Sequence, residues 1–195
     1  DFSPWAADGT DVSADPGLQL DYSVLHVDDR SLPTGDLGLI EEALQFSAET
    51  DTIIVEAGDY YEQIHVTRDG LTLRGRNGNF METTYLRQTE PEDLPLAVSY
   101  EGVDYHPFIL VDGATDVTVD EFFIVSDSGW TGPGRIVGVG YWNSGGLVSD
   151  MRIQNLIEVS PADPFSGIGI FAATDDTVGP LTVECQRDTV RDFQR

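Results

Sequence analysis

Short segments with apolar residues at their first and third positions recur along this chain, and that recurrence constrains its fold more than any other feature. Leu71-Thr72-Leu73-Arg74-Gly75, Val117-Thr118-Val119-Asp120-Glu121, Met151-Arg152-Ile153-Gln154-Asn155 and Leu181-Thr182-Val183-Glu184-Cys185 can be laid over one another at steps of 46, 34 and 30 residues. A second series, Ile109-Leu110-Val111, Val137-Gly138-Val139 and Ile168-Gly169-Ile170, advances by 28 and 31 residues. Two-residue alternation marks a strand with one buried face. Repetition at a similar period marks stacked units, each too small to bury its own apolar face. A right-handed parallel β-helix satisfies both: short strands joined by bends, with inward residues of successive coils forming apolar columns. Propeller repeats are longer, about 40 to 50 residues, and a β-sandwich does not require matched series. The long first step predicts an insertion over Phe80 to His106, which carries the acidic run Glu90-Pro91-Glu92-Asp93-Leu94-Pro95.

Residues 1–20 are rich in Asp, Ser, Gly and Pro and read as an irregular lead-in, followed by a short strand over Tyr22 to Val27. The strongest helix signal comes next. Asp36 is placed to cap it, Glu41 and Glu42 lie in its first turn, and Leu37, Ile40, Ala43 and Leu44 share one face. Asp51 to Glu56 reads as a strand, Gly58 opens a turn, and strands at Gln63 to Val66 and Leu71 to Leu73 flank Arg68-Asp69-Gly70. One amphipathic helix ahead of many short strands predicts an N-terminal cap on a larger β structure. The chain thus divides into a lead-in, 1–35, and an all-β unit, 36–195. Arg187, Arg191 and Arg195, with Asp188 and Asp192 between them, suggest a short closing helix. Three to four coils is short for a solenoid, so a longer parent chain or end-to-end self-association is expected.

Thirty-five acidic residues face ten basic ones, a net charge of −25, and all ten basic residues are Arg. Carboxylates hold water and cations, whereas Lys stems expose methylenes that strong salt drives together. A Lys-free acidic surface therefore suits molar salt, where the Debye length is about 3 Å. The same charge argues against nucleic-acid binding, which needs a basic face. No run approaches the roughly 18 to 20 apolar residues needed to cross a bilayer. The opening residues carry neither an initiator Met nor a signal peptide, and an extracellular or cell-surface location after signal removal is expected. Cys185 is alone, which rules out an intramolecular disulfide and suggests a small buried apolar residue.

Residues 36–78 resemble the entry segment of the pectin-lyase-like β-helix superfamily. There an amphipathic helix leads to a strand, a Gly-x-Tyr-x-Glu turn, a strand and an "ltl-x-G" strand. The matching residues here are Ile40 to Leu44, Thr52 to Val55, Gly58-Asp59-Tyr60-Tyr61-Glu62, Ile64 to Val66, and Leu71 to Gly75. The resemblance implies the fold, and a function among pectin esterases, pectate and alginate lyases, copper-maturation proteins or surface repeats. The esterase motifs are missing: Asp120-Glu121-Phe122-Phe123-Ile124 lacks the expected Gly, and no Gln-Asp pair precedes it. The Gly-His-Gly segment of the hydrolases is absent too.

Lyase chemistry needs clustered carboxylates with Arg or Lys to take a proton α to a uronate carboxyl, commonly with calcium. Asp127, Arg135, Asp150 and Arg152 are the catalytic candidates, with Glu158 nearby. Asp116 and Asp120 are the candidates for metal, so Ca2+ is possible although nothing requires a cofactor. His26, His65 and His106 are too dispersed for a ligand motif. Sugar recognition needs ring faces beside polar groups, and Trp130, Tyr141, Trp142 and Asn143 offer that combination. Asn155 follows a ladder strand, where a bend role is expected. Polysaccharide or cell-surface glycan recognition is the leading expectation. A polysaccharide lyase or carbohydrate esterase is the alternative, and a structural part of a surface layer, fibre or filament a third.

Overall fold

The computed structural model describes residues 23–28, 37–76, 78, 82–88, 90, 93–127, 129–157, 167–175 and 178–191. In chain order these form β1 (Val24–Val27), α1 (Ile40–Phe46), β2 (Thr52–Val55), β3 (Gly58–Tyr60), β4 (Ile64–Val66), β5 (Thr72–Arg74), β6 (Thr84–Gln88), β7 (Val98–Tyr100) and β8 (Val103–Asp112). There follow β9 (Val117–Asp120), β10 (Phe123–Ser126), β11 (Arg135–Trp142), β12 (Gly146–Ser149), β13 (Arg152–Gln154), β14 (Ile168–Ala173), β15 (Val183–Gln186) and β16 (Thr189–Arg191). The lead-in up to Tyr22, Asp36, Glu158 and the last four residues lie outside the described set.

The protein is mostly β, in three parallel sheets. Sheet A runs β1-β2-β5-β9-β12-β15, sheet B runs β3-β6-β10-β13-β16, and sheet C runs β4-β8-β11-β14. From β2 onward, β7 excepted, the chain visits A, B and C in unbroken rotation. Parallel neighbours cannot be joined by a tight hairpin. Here each crossover after β2 is made with one strand from each of the other two sheets, and the one between β1 and β2 carries α1. Strand β7 alone pairs antiparallel, with β8, and belongs to the predicted insertion.

Register turns this rotation into a core. One inward column of sheet A holds Leu25, Ile53, Leu73, Val119, Val148 and Cys185. Sheet B contributes Tyr60, Leu86, Ile124, Ile153 and Val190, and sheet C Ile64, Ile109, Val139 and Ile170. Most of these side chains are fully buried in a single cluster.

The first sequence series contains one member in the wrong sheet and one, Leu181 to Cys185, two residues out of register, since Val117 leads through Gly146 to Val183. Met151 to Asn155 belongs to sheet B as β13, and the sheet A strand of that circuit is β12, Gly146-Leu147-Val148-Ser149. Gly146 has no apolar side chain because a Cβ there would stand 1.9 Å from the Val117 carbonyl oxygen. The second series lies wholly in sheet C: Val137 and Val139 pair with Ile168 and Ile170 as the series aligns them, whereas Ile109 pairs with Val139, two residues from Val137. A two-residue slip keeps the same nominal face.

Helix α1 buries Ile40, Ala43 and Leu44, and packs against β4, β1 and β2. Its N-cap is Leu39, which makes no side-chain capping bond. Glu62 serves instead, its carboxylate accepting the Ile40 and Glu41 N–H groups at 3.0 Å each. At the other end Arg68 donates to the carbonyls of Leu44 and Gln45. Both clamps come from the segment around β4, so the Glu of the Gly-x-Tyr-x-Glu turn is a remote helix cap. Its first Tyr, Tyr60, is buried and directs its hydroxyl to the carbonyls of Glu56 (3.2 Å) and Val27 (3.4 Å).

Two further expectations are corrected. The closing helix is instead strand β16, which pairs with β13 and is preceded by Asp188 accepting the Met151 N–H at 2.9 Å. Cys185 is exposed rather than buried: it stands in the inward column, but β15 is the last strand of its sheet.

Candidate functional site

The sequence-proposed residues do not assemble into one centre. Asp127 follows β10 and accepts from Arg87 at 2.8 Å, and Arg152 opens β13 opposite Phe123. Four residues of strand separate those two levels, about 13 Å at the usual rise. Asp150 forms the bend into β13 with φ of 52° and is gripped by Arg187, Nε to Oδ1 at 2.8 Å. That guanidinium holds the Asp150 carboxyl below its ordinary range, which makes it a poor proton acceptor. Arg135 sits on sheet C opposite Tyr105.

The metal pair also separates. Asp116 is an exposed bend residue with φ of 57°. Asp120, at the far end of β9, is nearly buried and has both oxygens engaged, by Arg74 at 2.9 Å and Ser149 at 2.7 Å. Among the described residues no three His, Cys, Asp or Glu side chains converge on a point that could hold a metal ion.

Of the four proposed sugar contacts, two are core residues. Tyr141 continues the inward column of Val66 and Val111, and its hydroxyl meets the Val117 and Leu147 carbonyls at 3.2 Å. Burial pushes its phenol far above the usual range. Trp130 is 2% exposed, lies against the His106 ring at 4.9 Å, and is wrapped by a loop in which a Cβ on Gly132 would strike the indole at 2.5 Å. The ring faces that sugar stacking requires are therefore spent on internal packing. Asn143 is a bend residue, φ 51°, whose side chain donates to Asp175 at 2.9 Å and accepts its N–H at 2.8 Å. Trp142 alone faces outward. It meets Tyr100 edge-on at 6.1 Å in an aromatic cluster with Phe171 and Tyr105, half-buried under the insertion.

A different concave surface stands on sheet C beside α1. Its volume is about 710 Å³, and its walls include Glu41 on the helix, Tyr61, Gln63, His65 and Arg68 around β4, and Asp93 on the insertion. Alternation along β4 puts Ile64 and Val66 inside and turns His65 outward. Gln63 braces the far wall. Its amide nitrogen donates to the Pro107 (2.7 Å) and Leu96 (2.9 Å) carbonyls, while its oxygen accepts the Leu96 N–H at 2.6 Å. Leu94 plugs that wall into the core, and its carbonyl meets His106 Nδ1 at 3.0 Å.

The chemistry of this cleft is mixed. Tyr61 is 53% exposed, the one strongly exposed ring in the lining. His65 Nε2 stands 3.4 Å from Asp112 Oδ2. Burial raises the Glu62 carboxyl above its ordinary range. The two helix amides pull it down, and the neighbouring carboxylates of Glu41 and Glu42 push it further up. Arg68 is committed to the helix carbonyls. The arrangement offers a ring face, planar amide and imidazole groups and carboxylates, a set suited to hydroxyl-rich ligands. The sequence does not single it out, because Tyr61 belongs there to a fold signature. The outward polar positions Gln63, His65 and Thr67 beside that Tyr were the available signal. No helix among the described residues is long and apolar enough to cross a membrane. Comparison with protein-family models, curated proteins and solved structures found no match.

Proposed function

We propose that the three sheets form a right-handed parallel β-helix of the pectin-lyase-like type, capped at its first circuit by α1. In this reading the chain is an exported or cell-surface module of a salt-adapted organism that recognises polysaccharide or cell-surface glycan. The observation that carries it is the cleft at α1, which joins an exposed Tyr61 to a rim of amide, imidazole and carboxylate groups. A pyranose lays its C–H face on such a ring, and polar neighbours take its hydroxyls. The site is moved from Trp130 and Tyr141, which packing removes from any ligand.

The test is a glycan and polysaccharide panel in molar salt with the wild type and Tyr61→Ala. Binding that falls at least tenfold in the variant supports the reading; equal binding by both displaces the site. A lyase is the second reading, favoured by the His65–Asp112 pair, which supplies an oriented base beside Tyr61. Unsaturated-uronate absorbance abolished by His65→Ala would promote it. Silence on binding and turnover together would leave an architectural role ahead.

A further inference from the structure

The three histidines of this chain differ in what waits for a second proton. His26 stands 3.5 Å from Glu56 and His65 stands 3.4 Å from Asp112, so protonating either ring completes an ion pair. His106 has no such partner among the described residues, in a chain with 35 acidic side chains. It is 8% exposed and lies in register with the buried Ile136.

The ring joins the Leu94 carbonyl through Nδ1 at 3.0 Å. A carbonyl only accepts, so Nδ1 carries the proton and Nε2 is the bare nitrogen of a neutral imidazole. Nε2 is buried and meets no hydrogen-bonding group among the described residues. Against the ring lie Leu94, 1% exposed, and Trp130, whose ring centroid is 4.9 Å away at a 42° tilt. Neither of these titrates, nor does Ile136. The charged groups on the same segments are engaged elsewhere or turned away. Asp93 accepts the Glu90 N–H at 3.0 Å, Asp104 is exposed and accepts from Ser99, and Asp127 pairs with Arg87 at 2.8 Å. Arg135 is half-buried opposite Tyr105, and alternation along β11 separates it from Ile136.

His106 thereby pins two pieces of the molecule. Leu94 anchors the stretch that supplies Asp93, Pro95 and Leu96 to the wall of the cleft, where Gln63 holds Leu96. Trp130 anchors the connection between β10 and β11, its backbone N–H donating to Ile157 at 2.6 Å and its indole to Pro133 at 3.3 Å.

We propose that His106 is a pH-operated latch on the cleft wall, closed while the ring is neutral and released when it is protonated. Protonation puts a charge and a second N–H into a buried site that offers neither acceptor nor counter-ion. The tilted indole supplies a cation–π contact but no lone pair. The ring is rigid, so Nε2 gains water only when the imidazole turns out, and turning out breaks the Nδ1 bond to Leu94. Imidazole changes charge between about pH 5 and 8, so the latch holds at the upper end and opens at the lower. Its effect on ligand binding rests on the cleft reading, whereas the latch itself does not.

The experiment takes the full chain, without ligand and in molar salt, from about pH 8 to about pH 5. Trp5→Phe with Trp142→Phe leaves Trp130 as the one emitter, and amide hydrogen exchange is followed in parallel, corrected for intrinsic rate. Acid should raise acrylamide quenching of Trp130 about twofold and lower protection over residues 94–98 about tenfold, leaving β2 and β5 unchanged. His106→Asn keeps a donor near the Nδ1 position and cannot titrate, so both responses should vanish. They should persist in His26→Asn and in Glu62→Gln. Imidazole proton resonances of the wild type tie the transition to one ring whether or not His106→Asn folds. The proposal is overturned if emission and exchange stay flat, if they change while His106 remains neutral, or if His106→Asn responds as the wild type does. None of these readouts needs a glycan, so a silent glycan panel would sink the cleft reading alone.

Discussion

The inward column of sheet A begins at Leu25 and ends at Cys185, and the two ends live in different surroundings. Leu25 is 4% exposed although β1 is an edge strand, whereas Cys185 is exposed. The same contrast holds elsewhere. Tyr60 and Ile64 begin their columns buried, while Val190 ends one 43% exposed and Ile170 ends another half-buried. One difference is a neighbouring helix. At the first circuit α1 lies against β1, β2 and β4, held at its two ends by Glu62 and Arg68. The described part of the last circuit has parallel strands with one neighbour each. Identical register therefore does not mean identical burial: a column's value depends on whether something stands beyond its last member.

The largest expected effect tests that directly. Ile53→Ala, second in the column, should cost about 2–5 kcal/mol through lost transfer energy and a residual cavity. Cys185→Ala, four strands further on in the same column, should stay within about 0.5 kcal/mol. Denaturant unfolding at constant salt measures both. A Cys185 penalty approaching that of Ile53 would break the comparison, by showing that the last circuit is covered in solution.

A smaller effect concerns the clamp on α1. Glu62→Ala removes the acceptor for two helix N–H groups and should cost about 1 kcal/mol, the usual value of a capping side chain. Hydrogen exchange sharpens the reading, since the loss should concentrate in α1, β1 and β4 and leave β15 and β16 unchanged. Uniform acceleration across all three sheets would show that the helix clamp is not local.

These two ends also differ in how far they could be read from sequence. The helix and the strand after it were legible because amphipathic period acts locally, whereas Gly58, which reads as the start of a turn, opens strand β3 and pairs with Thr84. The β12 strand was not, because Gly146 is dictated by the approach of another backbone, which no local pattern reports. The capping partner was invisible for the same reason: Glu62 lies 22 residues from Ile40, so nearby Asp36 looked the better cap. Trp130 and Tyr141 misled in the opposite direction. Aromatic and polar neighbours in sequence look like a binding loop, yet Tyr141 shares an inward column with Val111, and only register shows it. Asp150 and Asn143 read as functional polar groups, whereas their positive φ marks them as bend residues that tolerate a left-handed backbone.

The smallest effect is a divergence in pH response. Glu62 has a folded pKa raised above its ordinary 4.5, chiefly by burial. The stability linked to its protonation is fully present below 4.5 and lost as pH rises through the folded value. Asp150 is the reverse: Arg187 lowers its folded pKa below 3.8, so its contribution is present above 3.8 and lost as pH falls through the folded value. Acidification from neutrality should therefore first relieve the charge cost at α1, and only at lower pH weaken the bend between β12 and β13. Comparing wild type with Glu62→Gln and Arg187→Ala in unfolding titrations separates the two. Glu62→Gln should flatten the profile above 4.5, and Arg187→Ala should flatten it below 3.8. Arg187→Ala should show the lesser change, because its ion pair is solvent-exposed and screened. Identical profiles for all three proteins would mean that neither carboxyl distinguishes the ends, and the contrast would then rest on packing alone.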